Sequence, residues 1–420
     1  MPVTKLVTKS FERWLSAFLS VVVLGCVCTN ALAHGERAQQ ANLRMRTVNW
    51  YDIEMSRSKL DVNEELIISG RIRPSKYWPE HIPSVEGRVF LNLGTSGPNF
   101  IRQTSHIDGV SMVQSTSLEL GRDYSFRIVL KARRTGRFHV HPILSVEGAG
   151  TMVGPGTWVQ VGGSDADFVN EVETMFGRKL NLETFNLDVI YTWHAIWFVV
   201  GGAWIFYWIR KRPLLISRMR QIEEAESDGG DGDDILTAQD RRVAVIFVVV
   251  TFLIIAIGYQ WAESRHPITT PLRTAKINVP KKDEPATNLN VTLNEAQYRI
   301  PGRSFRMSLT VENNSNTAIR VSEFSTANLR FINPEVRELS PADSHDLVAP
   351  NGLRVEGGLI GAGETSQVSV FAEDALWETQ RLTQMINDPD SIIAGLLFFE
   401  GDDGSREVVE VGGPMLPIFQ

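Results

Sequence analysis

Two histidines separated by one residue, His139 and His141, are the residues of this sequence best suited to bind a metal ion. Alternate residues of a β-strand lie on one face, so both imidazoles would project together with Arg137, while Phe138 and Val140 point into a core. Two neutral imidazoles on one face form a two-nitrogen clamp. An ordinary polar strand surface could carry the same pair, and the spacing alone leaves both interpretations open.

A third histidine, His34, would become the first residue of the mature chain if a leader were removed after Ala33. Its α-amine and ring would then add two nitrogens, and an α-amine with a reference pKa of about 8 gives up its proton to a metal at neutral pH. A nitrogen-rich ligand set suits copper better than calcium or magnesium, with zinc as the alternative. The sequence therefore predicts a copper site formed by His34, His139 and His141.

The residues before His34 have the pattern of an export signal. A basic stretch leads into an apolar run from Trp14 to Val27, and Ala31-Leu32-Ala33 supplies the small residues that signal peptidase recognises. We interpret residues 1–33 as a signal peptide, with an uncleaved membrane anchor as the alternative. Both cysteines, Cys26 and Cys28, lie in this segment, so the predicted mature chain has no thiol for disulfides, metal binding or catalysis.

Two longer apolar runs, 189–209 and 243–261, predict transmembrane helices. Each would be about 30 Å long as a helix, which is enough to cross the hydrocarbon of a bilayer. Buried helices of a soluble protein are the alternative, but basic residues bound both runs. Residues 210–242 between them hold seven Arg and Lys residues. The positive-inside rule makes this segment a cytoplasmic loop, with both flanking segments outside the cytoplasm.

The exported segments favour β-structure. Apolar residues alternate with more polar ones from Tyr124 to Ala132 and from Phe305 to Val311, and short strand-like runs follow at Ser366–Phe371, Ala394–Phe399 and Arg406–Val411. We therefore predict a mainly β chain with two transmembrane helices. Its parts are a β domain at 34–170, a connector at 171–188, the two helices around loop 210–242, an extended linker at 262–290 and a second β domain at 291–420.

Composition and charge exclude several classes of function. With 420 residues, 43% hydrophobic, the chain can form two cores, and its net charge of -7 provides no basic surface for nucleic acid. Gly154-Pro155-Gly156 predicts a turn, because no Gly-Lys-Ser follows as in a phosphate-binding loop. No nucleophile–base arrangement or carboxylate pair stands out.

Several short motifs extend over nearly the whole mature chain and include His34-Gly35-Glu36-Arg37, Trp50-Tyr51-Asp52, His139-Val140-His141, Gly154-Pro155-Gly156-Thr157-Trp158 and Pro301-Gly302-Arg303. With these motifs the chain resembles the B subunits of the copper membrane monooxygenases, the family of particulate methane monooxygenase and ammonia monooxygenase. The resemblance implies two periplasmic cupredoxin-like β domains joined by a transmembrane helical hairpin.

The resemblance also implies a function. His34, His139 and His141 would hold copper, and the chain would assemble with the A and C subunits, in the trimer of heterotrimers of that family, in a membrane with quinol as reductant. The complex would insert one oxygen atom from O2 into ammonia, giving hydroxylamine, or into methane, giving methanol; local stretches favour ammonia slightly. Whether these histidines are catalytic, or a site in the C subunit is, stays open.

One departure from the family pattern concerns a second metal site. Some methane-oxidising members have a further histidine pair where this chain has Asn49 and Arg73. A guanidinium cannot replace a neutral imidazole as a ligand, so we predict no second copper there.

Two other classes of function are alternatives: a periplasmic copper carrier, and a structural scaffold whose partner performs the oxidation.

Overall fold

The computed structural model describes residues 39–211, 215–229, 237–267, 275–282, 287–299, 304–339, 343, 347–387 and 390–419. They form two compact units. One unit contains the described residues up to 168 and those from 275 onward, which include both β domains; the other contains those from 169 to 267. The predicted signal peptide, 1–33, and the predicted ligand His34 lie outside the described residues.

A short helix and ten strands begin the first unit. They are α1 (Ala41–Arg46), β1 (Val48–Met55), β2 (Lys59–Asp61), β3 (Glu65–Pro74), β4 (Val89–Gly94), β5 (Phe100–Ile107), β6 (Val110–Ser111), β7 (Tyr124–Ala132), β8 (Gly136–Val146), β9 (Gly150–Val153) and β10 (Thr157–Gly162). One sheet has the order β1-β3-β7-β5-β6, and the other has the order β2-β10-β8-β4, with β9 paired to β8. These two sheets form the first β domain.

The core of this domain follows from the alternation in the sequence. Along β7, every second residue from Tyr124 to Ala132 is apolar and buried, and the residues between them are less buried. In the neighbouring sheet, Val140 and Val159 fill the same core. The predicted strand is confirmed, because a strand with one buried face needs an apolar residue at every second position.

The second unit contains a β-hairpin and three helices. These are β11 (Glu171–Glu173), β12 (Lys179–Asn181), α2 (Leu187–Lys211), α3 (Leu215–Ser227) and α4 (Ala238–Arg265). Helices α2 and α4 are long and apolar enough to cross a membrane, and their most apolar stretches are not buried within the chain. Such surfaces are stable when lipid or another protein covers them.

Contacts near one end of the pair join α2 to α4. The hydroxyl of Tyr207 donates a hydrogen bond of 2.7 Å to Asp240 Oδ1. Asp240 is only 2% exposed and also caps α4, because its carboxylate and the side chain of Thr237 exchange hydrogen bonds with each other's backbone amides. Next to this polar contact, the ring of Trp204 stacks on Phe247 at 4.5 Å between centroids.

Nine strands and a short helix form the second β domain. They are β13 (Leu289–Arg299), β14 (Ser304–Asn313), β15 (Ile319–Thr326), β16 (Leu329–Ile332), β17 (Val348–Ala349), β18 (Leu353–Glu356), β19 (Thr365–Glu373), α5 (Leu376–Thr379), β20 (Ile392–Gly401) and β21 (Arg406–Ile418). The strand order is β17-β16-β15-β20-β21-β13-β14-β19-β18. The alternating apolar residues from Phe305 to Val311 are buried, as predicted.

Helix α1, near the beginning of the described residues, packs on this second domain. Met45 of α1 belongs to its core. The Arg44 guanidinium donates to the carbonyl oxygens of Gln380 at 2.7 Å and Ala327 at 2.9 Å. The segment before β1, predicted within the first β domain, is therefore held by the second.

Part of the predicted linker also packs on a β domain. Helix α4 continues through Arg265, and the chain further on pairs with the first domain, where the Ile277 amide donates to the Ser115 carbonyl at 2.8 Å. Val279 is buried in the core of that domain. The strands and the two long helices together confirm the prediction of a mainly β chain with two helices of transmembrane length.

Candidate metal centre

His139 and His141 lie side by side on β8. Val140 between them is fully buried, and Phe138 packs against the same core, so the imidazoles occupy the other face as the alternation predicts. A loop covers His141, which is 5% exposed, whereas His139 is partly exposed. The ring centroids are 4.4 Å apart.

Hydrogen bonds define which nitrogens face each other. His139 Nδ1 is 2.7 Å from His141 Nε2, and His141 Nδ1 is 2.9 Å from the carbonyl oxygen of Gly154. A carbonyl oxygen only accepts hydrogen bonds, so Nδ1 of His141 carries the proton. The lone pair on His141 Nε2 is then directed toward His139, which is the form in which an imidazole binds a metal.

The separation of these two nitrogens fits one metal ion. Nitrogen ligands lie about 2.0 Å from such a divalent ion, so two of them at right angles, as on square-planar copper(II), are about 2.8 Å apart. The observed 2.7 Å agrees with this value. Imidazole nitrogens suit copper and zinc rather than calcium or magnesium.

The predicted turn Gly154-Pro155-Gly156 forms a wall of the site. A β-carbon on Gly156 would lie 2.5 Å from Cε1 and Nδ1 of His141, so only glycine leaves room for the ring. A β-carbon on Gly154 would similarly lie 2.8 Å from the ring of Trp50. Sequence reasoning predicted a turn at this segment, which joins β9 to β10, and missed its contact with His141. Its two glycines, directly before a strand, were the available signal.

Trp158 covers one side of the pair. It is the cross-strand partner of His139 on β10, with ring centroids 4.9 Å apart. The guanidinium carbon of Arg137 lies 4.6 Å from the centre of the indole, within the range of a cation–π contact. The indole is thus packed against His139 on one side and against Arg137 on the other.

Gln39, the first described residue, is bound next to this turn. Its side-chain amide accepts a hydrogen bond from the Val153 backbone amide at 3.2 Å and donates one to the Thr151 carbonyl. Val153 directly precedes Gly154, whose carbonyl contacts His141. The described chain therefore begins close to the histidine pair.

Other metal-binding groups are scarce near the pair. Within the described ranges, no three or more His, Cys, Asp and Glu residues form a group that could hold a metal ion. The pair thus needs a further ligand from outside those ranges or from solvent. The predicted third ligand, His34, lies in the part of the chain that the structure does not describe.

Asn49 and Arg73 lie opposite each other on β1 and β3. Nε of Arg73 donates to Asp123 Oδ1 at 2.7 Å. Burial acts to lower the pKa of Arg73, but the hydrogen bonds and charge of Asp123 outweigh it and raise the pKa above its ordinary value. The Arg73 guanidinium is thus the charged partner of the Asp123 carboxylate. That this position binds no second copper stays a prediction.

Comparisons with known proteins agree over nearly the whole chain. A family model described as a monooxygenase B-subunit protein matches residues 35–419. The particulate methane monooxygenase alpha subunit of Methylococcus capsulatus (strain Bath) is 41% identical over 419 residues, which cover 99% of this chain and 100% of that protein.

Solved structures match less closely. The cupredoxin domain of amoB from Nitrosocaldus yellowstonii is 15% identical and aligns with 32% of this chain and 98% of its own, with a TM-score of 0.24. PapD-like domain 7 of human CEP192 is 11% identical and aligns with 36% of this chain and 99% of its own, with a TM-score of 0.18. At these TM-scores neither supports a conclusion about the fold.

Proposed function

The chain belongs to the B-subunit family of the monooxygenases, and from this premise we propose that it is the copper-binding member of a membrane complex that inserts one oxygen atom from O2 into methane or ammonia. The observation that carries the proposal is the 2.7 Å approach of His139 Nδ1 and His141 Nε2. Copper, when bound, supplies one-electron redox chemistry toward O2. Zinc, which has no redox chemistry, would not serve an oxygenase in this way.

The proposed ligand set is His34, His139 and His141. Gln39 lies five positions after His34, a distance of at most about 17 Å, so a chain held at Val153 can return His34 to the pair. Removal of residues 1–33 would free the α-amine as a further ligand. Mass spectrometry of the mature chain should therefore show a start at His34. A start one residue earlier would place that nitrogen in a peptide bond and contradict the chelate.

The residues around the pair would prepare it for the metal. The Gly154 carbonyl fixes the tautomer and orientation of His141, and Trp158 restricts access of water to His139. A rigid pair loses little freedom when it binds an ion, and this favours binding. The role of these residues is to bind and orient the metal ion.

Partners and topology belong to the same proposal. The chain would assemble with the A and C subunits, as a heterotrimer that forms a trimer, with lipid around α2 and α4 and quinol as the reductant. Loop 210–242 would be cytoplasmic and both β domains periplasmic, because the basic residues cluster in that loop. Protease added outside the cytoplasmic membrane should cut the β domains and spare the loop; cleavage within 210–242 would contradict this orientation.

The substrate is tested with the native membrane complex. Sequence stretches slightly favour ammonia, whereas the relative that is 41% identical is named a methane monooxygenase. The complex should convert methane to methanol or ammonia to hydroxylamine, and the ratio of kcat/KM for the two gases identifies the substrate. Absence of oxidation of both gases by an intact, copper-loaded complex would contradict the proposal.

Copper content separates the proposal from its two alternatives. A scaffold protein would carry no stoichiometric copper at this chain. A copper carrier would purify without stably bound A and C subunits. The proposal expects copper bound to this chain within the assembled complex, and it expects none at Asn49 and Arg73.

A further inference from the structure

The hairpin formed by β11 and β12 has an unusual tip. The Gly177 amide donates to the Thr174 carbonyl at 2.9 Å, and the Thr174 amide donates to the Arg178 carbonyl at 2.9 Å, which closes a tight turn. Gly177 has φ +74, a value that favours glycine. The turn leaves Met175 and Phe176 at its outermost positions.

Both tip side chains are almost completely exposed. Met175 is 92% exposed and Phe176 is 90% exposed. Tight turns usually carry Gly, Asn, Asp or Ser at these positions. Two large apolar side chains held outward by a hydrogen-bonded turn indicate that lipid or another protein covers them.

The hairpin is joined closely to helix α2. The Leu182 amide donates to the Asn170 carbonyl at 2.8 Å and closes the base of the hairpin. The Phe185 amide then donates to the Asn181 carbonyl at 3.0 Å, and α2 begins at Leu187. A compact turn, rather than a long linker, therefore connects the hairpin to the membrane-length helix.

This connection limits how far the tip can lie from the membrane surface. Five residues lead from Phe176 to Asn181, and an extended chain of that length spans about 17 Å. Arg178 and Lys179, both exposed, directly follow the apolar tip. Apolar side chains at the acyl boundary with cations beside lipid phosphates are typical of interfacial segments.

We propose that the tip formed by Met175 and Phe176 inserts into the outer surface of the bilayer beside α2, with phospholipid as its partner. The hairpin would act as a second, shallow contact with the membrane that fixes the tilt of the segment leading into the helix. The inference rests on membrane insertion of α2 and is independent of the copper chemistry.

Photocrosslinking in native membranes tests this partner. Phe176→p-benzoylphenylalanine places a photoreactive ring at the tip of the full chain within its complex. Irradiation should give the tryptic peptide of the tip a mass increase of one phospholipid. The same substitution at Leu359, an exposed apolar residue of the second β domain, is the control and should give a several-fold lower yield of lipid adduct.

Two other outcomes would overturn the inference. A crosslink from position 176 to a polypeptide would mean that a protein partner, and not lipid, covers the tip. Absence of any adduct at position 176, in a complex that retains its copper and its subunits, would mean that the tip faces water. Retained copper content in the variant distinguishes a wrong membrane assignment of the hairpin from a failure of the proposed function.

Discussion

Gly156 and His141 are packed so closely that the imidazole ring occupies the space which a β-carbon on the glycine would need, 2.5 Å from two ring atoms. The ring must move if any other residue replaces this glycine. The carbonyl of Gly154 holds the same edge of the ring through Nδ1, so movement would break that hydrogen bond or separate the two imidazoles.

Gly156→Ala should therefore weaken copper binding without removing a ligand. Loss of an orienting contact around a metal ligand reduces affinity by about 10–100-fold, and we expect a decrease in that range. Copper retained per chain against a competing chelator measures it. Gly358→Ala is the control, because its nearest side-chain contact would be at an ordinary 3.8 Å. Equal retention by both variants would mean that the turn does not orient His141.

Replacing His139 and His141 together by Ala should remove the metal and leave the fold intact. Val140 and Phe138, which fill the core from the same strand, are unchanged. Copper per chain should fall to background while the complex remains assembled. His81→Ala, at an exposed histidine of the same domain, should retain copper. A folded double variant with its full copper content would refute the ligand assignment.

The contact between Tyr207 and Asp240 should stabilise the helical pair. Tyr207→Phe removes the hydrogen bond to a buried carboxylate, a change that costs about 1.5–3 kcal/mol. We expect a lower melting temperature of the detergent-solubilised complex. Tyr191→Phe, at an exposed tyrosine of the same helix, should leave it unchanged. Equal melting temperatures of the two variants would show that the contact adds nothing.

Glu410 should make stability depend on pH. Burial raises its pKa, although hydrogen bonds from Ser75 and the Lys76 amide and the charge of Arg73 oppose the shift. A carboxyl whose folded pKa is raised contributes its stability below its unfolded pKa and loses it as pH rises through the folded pKa. Wild type should thus lose stability as pH rises above the ordinary glutamate range.

Glu410→Gln tests this pH dependence, because an amide can still accept the Lys76 hydrogen bond without carrying charge. The melting temperature of the variant relative to wild type should rise between acidic and neutral pH. Glu80→Gln, at an exposed residue, should show a constant difference. A difference for Glu410→Gln that falls with pH would contradict a raised pKa of this carboxyl.

The order of apolar and polar residues along the sequence predicted the strands and the two long helices. The strand from Tyr124 to Ala132 and the two long helices follow from which neighbours are apolar, and the same alternation placed His139 and His141 on one face. Contacts between distant segments leave no such pattern. Arg44 donates to a carbonyl 283 positions away, at Ala327, and nothing around Arg44 indicates that partner.

The site could be predicted only in part for the same reason. The spacing of the histidines is visible in the sequence, but the role of Gly156 depends on a ring brought to it by strand pairing. Gln39 likewise contacts Val153 only because the chain folds back on β9. A glycine in a turn-like segment and a glutamine among polar residues are common in any sequence. The roles of Gly156 and Gln39 come from contacts with residues distant in the sequence.

The anchoring of α1 also sets an order of events during synthesis. Arg46 pairs with Asp390 at 2.7 Å, 344 residues later in the chain. At the usual pace of translation, that interval lasts on the order of tens of seconds. A nascent chain would therefore present His139, His141 and the Val153 partner of Gln39 long before α1 is fastened on the second β domain.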